Sequence, residues 1–321
     1  MAEAYNTLAE LVQLNDKNLA DYDISDLLEG APVLQMLTAV PASNGTVHKY
    51  MKQTVASSVA FRAALTGIAK TPSQDQLVTD TLKILDGSFS TDVALAKGYK
   101  DGVDAWLQLE TQRTLRQAMA HIERQVFYGV GGTGDSSGFV GLVDDGQLDA
   151  IGDTMLVNAG GSNADTQTSC FILRHGEQDV AVVAGNDGNF ELSDTPTTIE
   201  KYTTAELAAS TSYPAYYVSV IGYMGFQIGS AYSAARIANI ECNSLGSTSA
   251  FTTDHIYAAL SKFPGAAPPN LICMNRNAQR LLRQSLTATN PTGAPAPFLS
   301  EVAGIPIVIT DQLASTEAVE V

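Results

Sequence analysis

Charge is what this chain has least of. Charged residues make up 16% of its 321, and 18 Lys and Arg stand against 34 Asp and Glu, a net charge of −16. Sequence-specific DNA binding needs a basic footprint that neutralises phosphates, and this balance excludes it. Little charge also leaves surface that other chains can bury; the alternative is a monomer with a neutral, polar exterior. Cysteine is nearly absent. Cys170, Cys242 and Cys273 are widely spaced, odd in number and without a C-x-x-C pair, which argues against a disulfide framework and suits a reducing cytoplasm. MAEAYNTLAEL lacks a basic stretch before an apolar run, so no secretory signal is expected. The chain also lacks a purely apolar span. Residues 207–235 carry no charge, but they contain Ser, Thr, Gln and Pro and alternate with a period of two. Val218, Val220, Met224, Phe226 and Ile228 fall on one face, and Tyr217, Ser219, Tyr223 and Gln227 on the other. That predicts a half-buried strand or hairpin, not a membrane span.

Glycine, by contrast, is plentiful, and GVGGTGDSSG at 129–138 imitates two chemical motifs. Gly129, Gly131 and Gly134 fit the dinucleotide turn G-x-G-x-x-G; Gly134, Ser136 and Gly138 fit the nucleophile elbow G-x-S-x-G. Both motifs require a strand before the glycines and a helix after them. Here the strongest helical pattern comes before. Val103, Leu107, Leu115, Met119, Ile122 and Val126 recur at helical spacing, with Asp101 as the expected N-cap and Gly129 as the residue just past the end. A helix over 103–128 would be a rod of roughly 40 Å. The following DSSGFVGLVDDGQ is too rich in glycine to be a helix. Asp149 stands at the spacing of a ribose-binding acid, but acids are common in this chain, and no Lys-Ser or Lys-Thr completes a P-loop. His175 and His255 follow Ser136 with nothing in the sequence to bring them near it, and His121 has no second histidine one turn away. The stretch reads as a loop, with no catalytic residue, cofactor site or metal site.

Around that helix the chain changes character several times. Residues 1–40 form an acidic arm whose apolar cluster is Leu8, Leu11, Val12 and Leu14. Residues 44–100 alternate out through HKYMKQTVASSVAFRAAL and back through LVTDTLKILDGSFSTDVAL, a long two-stranded excursion with its tip at Thr71, Pro72 and Ser73. An isolated hairpin is marginal in water, so one this long must lie on a neighbouring surface or be mobile, unless its strands are ordinary members of a domain sheet. SCFILRH, DVAVVAG, the turn GNDGN, YYVSVIGYMGFQIG and ARIANIE make the next region β-rich. The last third is α/β: helix TDHIYAALSKF with a Thr/Asp cap, buried strand NLICM, helix NRNAQRLLRQSL, loop TNPTGAPAP and strand GIPIVIT. Arg276, Arg280 and Arg283 share one face of the second helix, either solvated or set against an acidic neighbour.

This order of elements, together with ERQVFYG before GFVGL, RIANIE closing the β layer, and MNRNAQRLLRQ before GIPIVITDQL, resembles the major capsid proteins of tailed bacteriophages. The resemblance spans nearly the whole chain. It implies an α+β fold of the Hong Kong 97 type, with an N-terminal arm (1–42) and an extended loop (43–100), both lying on adjacent subunits. A spine helix with the start of the peripheral and axial domains (101–160), a β-rich peripheral region (161–244), and an axial domain with the C-terminal strand (245–321) would follow. It further implies hexamers and pentamers of one chain in an icosahedral head that encloses double-stranded DNA, assembled in the host cytoplasm without a membrane. A portal and a decoration protein are further implied partners. The excursion starts too early to leave room for a built-in scaffolding region, so a separate scaffolding protein is expected. Lysine crosslinking, known in some shells, is not carried over to Lys49, Lys52 or Lys70. In such a shell the expected intersubunit contacts are Lys49, Lys52 and Arg62 in the loop, and Glu110, Arg113, Arg116, Glu123 and Arg124 on the helix. The rival readings are an encapsulin-like compartment for protein cargo and a cytoplasmic α/β enzyme using the glycine loop.

Overall fold

The computed structural model describes residues 30–131, 133–185, 191–192, 197–201, 212–242, 251–290 and 294–321. The arm cluster Leu8, Leu11, Val12 and Leu14, the GNDGN turn after Gly185, and residues 207–211 of the uncharged segment lie outside the described residues. The first strands are β1 (Thr38–Pro41), β2 (Val47–Val55), β3 (Gln74–Thr81), β4 (Lys83–Asp86) and β5 (Phe89–Asp92), followed by helices α1 (Val93–Gly98) and α2 (Val103–Tyr128). Then come β6 (Leu156–Asn158), β7 (Gln167–Leu173), β8 (Val180–Ala184), β9 (Glu191–Leu192), β10 (Thr197–Lys201), β11 (Tyr213–Val218), β12 (Val220–Ile228) and β13 (Ala234–Glu241). Helix α3 (Thr253–Leu260), β14 (Leu271–Met274), α4 (Arg276–Thr289), β15 (Glu301–Val302) and β16 (Ile305–Ile309) complete the described elements.

A six-stranded sheet, ordered β15-β16-β14-β7-β13-β6, carries the main core. Its inner strands β7, β13 and β14 are buried at every position, as expected of strands covered on both faces. A second sheet runs β1-β8-β12-β4 with β9 added beside β12, and a third runs β10-β11-β5. Among the described residues, strands β2 and β3 pair only with each other. The long helix joins two cores. Ile122, Val126 and Phe127 near its C-terminal end belong to the main cluster, while Trp106 and Leu107 near its start pack with Ala96, Val218 and Val220 in a small one. The indole of Trp106 is buried and donates to Thr91 Oγ1 at 3.1 Å.

Several local expectations differ from the structure, each for a physical reason. Helix α2 covers 103–128 and ends at Gly129 (φ +59°), but its N-cap is Gly102 (φ +94°), not Asp101. A left-handed residue is needed where the chain turns in from α1, and Asp104 in the first turn supplies the negative charge that the helix dipole favours. The excursion is shorter than its alternation suggests. Its paired strands stop at Val55 and resume at Gln74, so Thr71, Pro72 and Ser73 lie on the return and the tip is the irregular stretch 56–73. That stretch is rich in Ala and Ser, which favour strands weakly. Residues 83–98 belong to the body, as β4, β5 and a short helix that Asp92 caps by accepting from Ala94 N at 2.7 Å. Val218 and Val220 sit in different sheets on either side of Ser219, and Gln227 is buried rather than wet. The elements of the final third follow the sequence, but α3 is capped one residue earlier than the expected Thr/Asp pair, by Thr252 in a capping box with His255; Asn275 caps α4 by accepting from Ala278 N at 2.8 Å.

Candidate assembly surfaces

The glycine loop is closed on itself. Asp144 Oδ2 accepts from Val130 N (2.7 Å) and Gly141 N (3.1 Å), and so occupies the amides that a phosphate would need. Gln125, buried near the end of α2, donates to Asp135 O and Phe139 O and accepts from Asp135 N. The glycines serve this close packing: a Cβ on Gly129 would lie 1.7 Å from Asp144 Oδ2, and one on Gly138 would lie 2.3 Å from Gln125 Nε2. Ser136 is exposed, whereas His175 contacts Thr38 and His255 contacts Thr252. His121 pairs with Asp135 at 3.5 Å across a half-exposed crevice. No group of three or more metal-ligating side chains converges among the described residues.

The β2–β3 hairpin is the opposite case. Residues 53–67 are exposed without exception, and the tip carries Val59, Phe61 and Leu65 at 91%, 108% and 103% of full exposure. The cross-strand neighbours Met51 and Leu77 are also exposed on the outer face. Fully wet Phe and Leu side chains gathered at the end of a projection are an exposed apolar patch of the kind found at interaction sites. On the body, a groove of about 630 Å³ runs beside α2, lined by Ala31, Leu34, Leu115 and Met119 with Arg116 at its edge.

The residues expected to meet neighbours divide into two groups. Lys49, Arg62, Arg116 and Arg124 are exposed, and Lys52 and Arg113 are partly so. Arg113 binds Glu110 of its own helix at 3.0 Å, and Arg124 donates to Gln312 at 3.2 Å. Glu123 is a correction. It is wholly buried, accepts from Val33 N (2.8 Å), Leu34 N (3.1 Å) and the Thr310 hydroxyl, and so serves its own chain. Burial pushes its carboxyl above the usual range, while Thr310 and the two amides draw it back. The α4 arginines are likewise engaged internally: Arg276 with Asp311, Arg280 with Cys242 O, and Arg283 with Ala296 O and the Phe298 ring.

A family model described as major capsid protein GP7 matches residues 16–321. The chain belongs to the major capsid protein GP7 family. No curated protein matches its sequence. Among solved structures, bacteriophage Epsilon15 shares 16% identity at a TM-score of 0.69, over 100% of this chain and 98% of that one. The bacteriophage JBD30 capsid shares 12% identity at a TM-score of 0.50, over 96% of this chain and 99% of that one, and is also known decorated with minor capsid protein trimers. An encapsulin of Synechococcus elongatus PCC 7942 aligns at a TM-score of 0.46 with 11% identity, over 76% of this chain and 99% of that one, too slight a likeness to argue for cargo enclosure. This capsid protein therefore has the Hong Kong 97-type fold and a structural place in the phage shell. None of its described helices is long and apolar enough to cross a membrane.

One feature of this capsid protein that sequence reasoning missed is a buried polar lock. Arg236, inside β13, donates to Glu317 Oε2 (3.3 Å), Ser169 Oγ (3.0 Å) and Leu148 O (3.1 Å), and pairs with Glu320 at 2.7 Å. Glu317 also accepts from Tyr128 Oη (2.6 Å) and Ser169 Oγ (2.5 Å). Burial raises the Glu317 pKa and Arg236 opposes it; Tyr128 is pushed well above its ordinary range by burial and by Glu317. The lock fastens residues 317–320 to the main sheet and to the end of α2. Its visible signal was the lone charged residue, Arg236, in the β-forming run ARIANI.

Proposed function

We propose that this chain builds the pentamers and hexamers of an icosahedral phage head, enclosing double-stranded DNA without reading its sequence. The observation that carries the reading is the β2–β3 projection, whose apolar tip none of the described residues covers, in a member of a capsid family. A projection on one edge and a receptive surface elsewhere make a heterologous contact, the kind that generates rings and closed shells. The arm (1–42) and the hairpin within residues 43–100 would lie on adjacent subunits; the long helix with residues 161–244 would form the peripheral domain, and residues 245–321 the axial domain. Lys49, Lys52, Arg62, Arg113, Arg116 and Arg124 would face neighbours, with Glu110 orienting Arg113. A net charge of −16 suits a wall that leaves packaged DNA mobile. Assembly in the bacterial cytoplasm would use a separate scaffolding protein and a portal. A decoration protein is a further partner, by analogy with the trimers on the JBD30 capsid.

In this reading the chain catalyses no reaction, and the glycine loop is a rigid turn. The test is to replace residues 56–73 by a two-residue Asn-Gly turn and to image the particles formed in cells that also supply the scaffolding protein. The expected result is closed shells from the parent chain and folded, unassembled subunits from the variant. Closed shells from the variant, or esterase activity or tight nucleotide binding by the purified parent chain, would overturn the reading.

A further inference from the structure

Residues 30–74 contain no aspartate or glutamate, although the whole chain has 34; their cations are Lys49, Lys52, Arg62 and Lys70. Within this acid-free stretch stands Asn44–Gly45, the single Asn-Gly pair of the sequence. It opens a tight turn. Asn44 N donates to Val47 O and Val47 N donates to Asn44 O, each at 2.9 Å, so Gly45 and Thr46 form the two-residue loop between them. Gly45 takes the left-handed conformation (φ +53°) that this loop asks of its first residue, and the place where a Cβ would stand is open space. The flanks are anchored: Ala42 N donates to Ala184 O, and Leu82 N to Thr46 O, both at 2.9 Å.

The turn leaves unengaged two groups that can react with each other. Asn44 and Gly45 are both exposed, and among the described residues nothing bonds the Asn44 carboxamide or the Gly45 amide. Every other described asparagine has its carboxamide engaged. Asn158 Oδ1, for example, accepts from Gly160 N at 2.8 Å, and Asn270 Oδ1 accepts from His175 N at 2.9 Å. None of these is followed by glycine, the residue whose missing Cβ lets a backbone nitrogen approach closely.

We propose that Asn44–Gly45 is a site of spontaneous backbone modification, at which the Gly45 nitrogen attacks Asn44 Cγ and converts the asparagine into isoaspartate and aspartate. Hydroxide removes the Gly45 amide proton, the nitrogen bonds to Cγ, and the carboxamide nitrogen leaves as ammonia, closing a succinimide ring. Water then opens the ring. Cleavage of the bond between the nitrogen and the Asn44 backbone carbonyl carbon leaves the chain running through Cγ as isoaspartate; cleavage at Cγ gives aspartate. The balance is one water consumed and one ammonia released, with nothing oxidised or reduced. The attack needs the turn to open locally, which an exposed loop closed by only two hydrogen bonds permits. Isoaspartate lengthens the main chain by one carbon and turns the carbonyl that accepts from Val47 N into a free carboxylate. Either product puts the first negative charge into residues 30–74.

The test incubates the unassembled full-length chain in heavy-oxygen water at pH 7, 8 and 9 and maps its peptides by mass spectrometry. The expected result is one heavy oxygen gained at residue 44, at a rate rising in proportion to hydroxide. The isoaspartyl share should accept a methyl group from S-adenosylmethionine when an isoaspartyl methyltransferase is added. Asn158 and Asn270 should convert at least about tenfold more slowly, being engaged and lacking the glycine neighbour. Gly45→Ala should slow conversion at residue 44 by a similar factor. Because alanine is strained at φ +53°, Asn44→Gln is the second variant; it keeps the glycine and should abolish the label at residue 44. A folded chain that gains no heavy oxygen at residue 44, while a peptide of residues 40–49 does, refutes the proposal, since the turn then protects the pair. Equal conversion at Asn158, or a rate independent of hydroxide, refutes it as well.

Discussion

Replacing Arg236 with Met should cost this protein a large part of its stability, and the cost should depend on pH. The side chains of Arg236 and Glu317 are 2% and 6% exposed and 3.3 Å apart. Methionine fills much of the space but leaves the Glu317 carboxylate buried beside Tyr128 and Ser169 without its cation, with Glu320 also unpaired. Removing one partner of a buried pair typically costs about 3–5 kcal/mol, against a total domain stability of about 5–15 kcal/mol. With a urea slope of about 3 kcal/mol per M, the unfolding midpoint should fall by roughly 1–2 M. The pKa of Glu317 is already raised by burial, and losing Arg236 raises it further. A carboxyl whose folded pKa lies above its unfolded value contributes stability below the unfolded pKa and loses it as pH rises through the folded one. The deficit should therefore be larger at pH 7 than at pH 5, because lowering the pH favours the protonated Glu317 carboxyl, which needs no cation. Urea unfolding followed by circular dichroism at both pH values measures this. A deficit under about 1 kcal/mol, or one equal at the two pH values, would refute the reasoning, since either means that the pair is effectively solvated.

Three further outcomes follow from the same geometry. Glu123→Gln should flatten the pH dependence of stability: the raised Glu123 pKa favours folding below the ordinary glutamate range and withdraws that support as pH rises through the folded value, which thermal melts across pH 4–8 would register. Gly129→Ala should destabilise by at least about 2 kcal/mol, because φ is +59° and the new Cβ would meet Asp144, while Gly146→Ala, with open space around it, should change little; comparable melts for the two would contradict the closed-loop account. Thr91→Val should remove the Trp106 indole's acceptor and shift the fluorescence of this single tryptophan, with the main core unaffected; an unchanged spectrum would mean that the bond is not formed in solution.

What could be read in advance was what local pattern controls. The span of α2 from Val103 to Tyr128, its glycine stop, the helix in NRNAQRLLRQSL and the buried strand NLICM each rest on a few adjacent residues, and each stands where it was expected. The errors arise where a distant partner decides. Gln227 alternates like a wet residue but is buried because His48, far away in sequence, arrives to bond it. Glu123 sits among helix-surface charges but turns inward because Val33, Leu34 and Thr310 converge on it. Arg236 is tolerable in a buried strand only because the end of the chain returns with Glu317 and Glu320. The hairpin tip was misplaced for a different reason: alternation continues past Val55 although no partner strand faces it.

The central claim is that the β2–β3 projection is completed by other copies of the chain, and hydrogen exchange tests it most directly. Amides of residues 56–73, beyond the paired strands, should exchange rapidly in the free subunit, where nearly all of these residues are exposed, and become strongly protected in the assembled shell. The buried strands β7 and β13 provide the internal reference, being protected in both states. Equal exchange of residues 56–73 in subunit and shell, with the reference strands behaving as stated, would contradict the account.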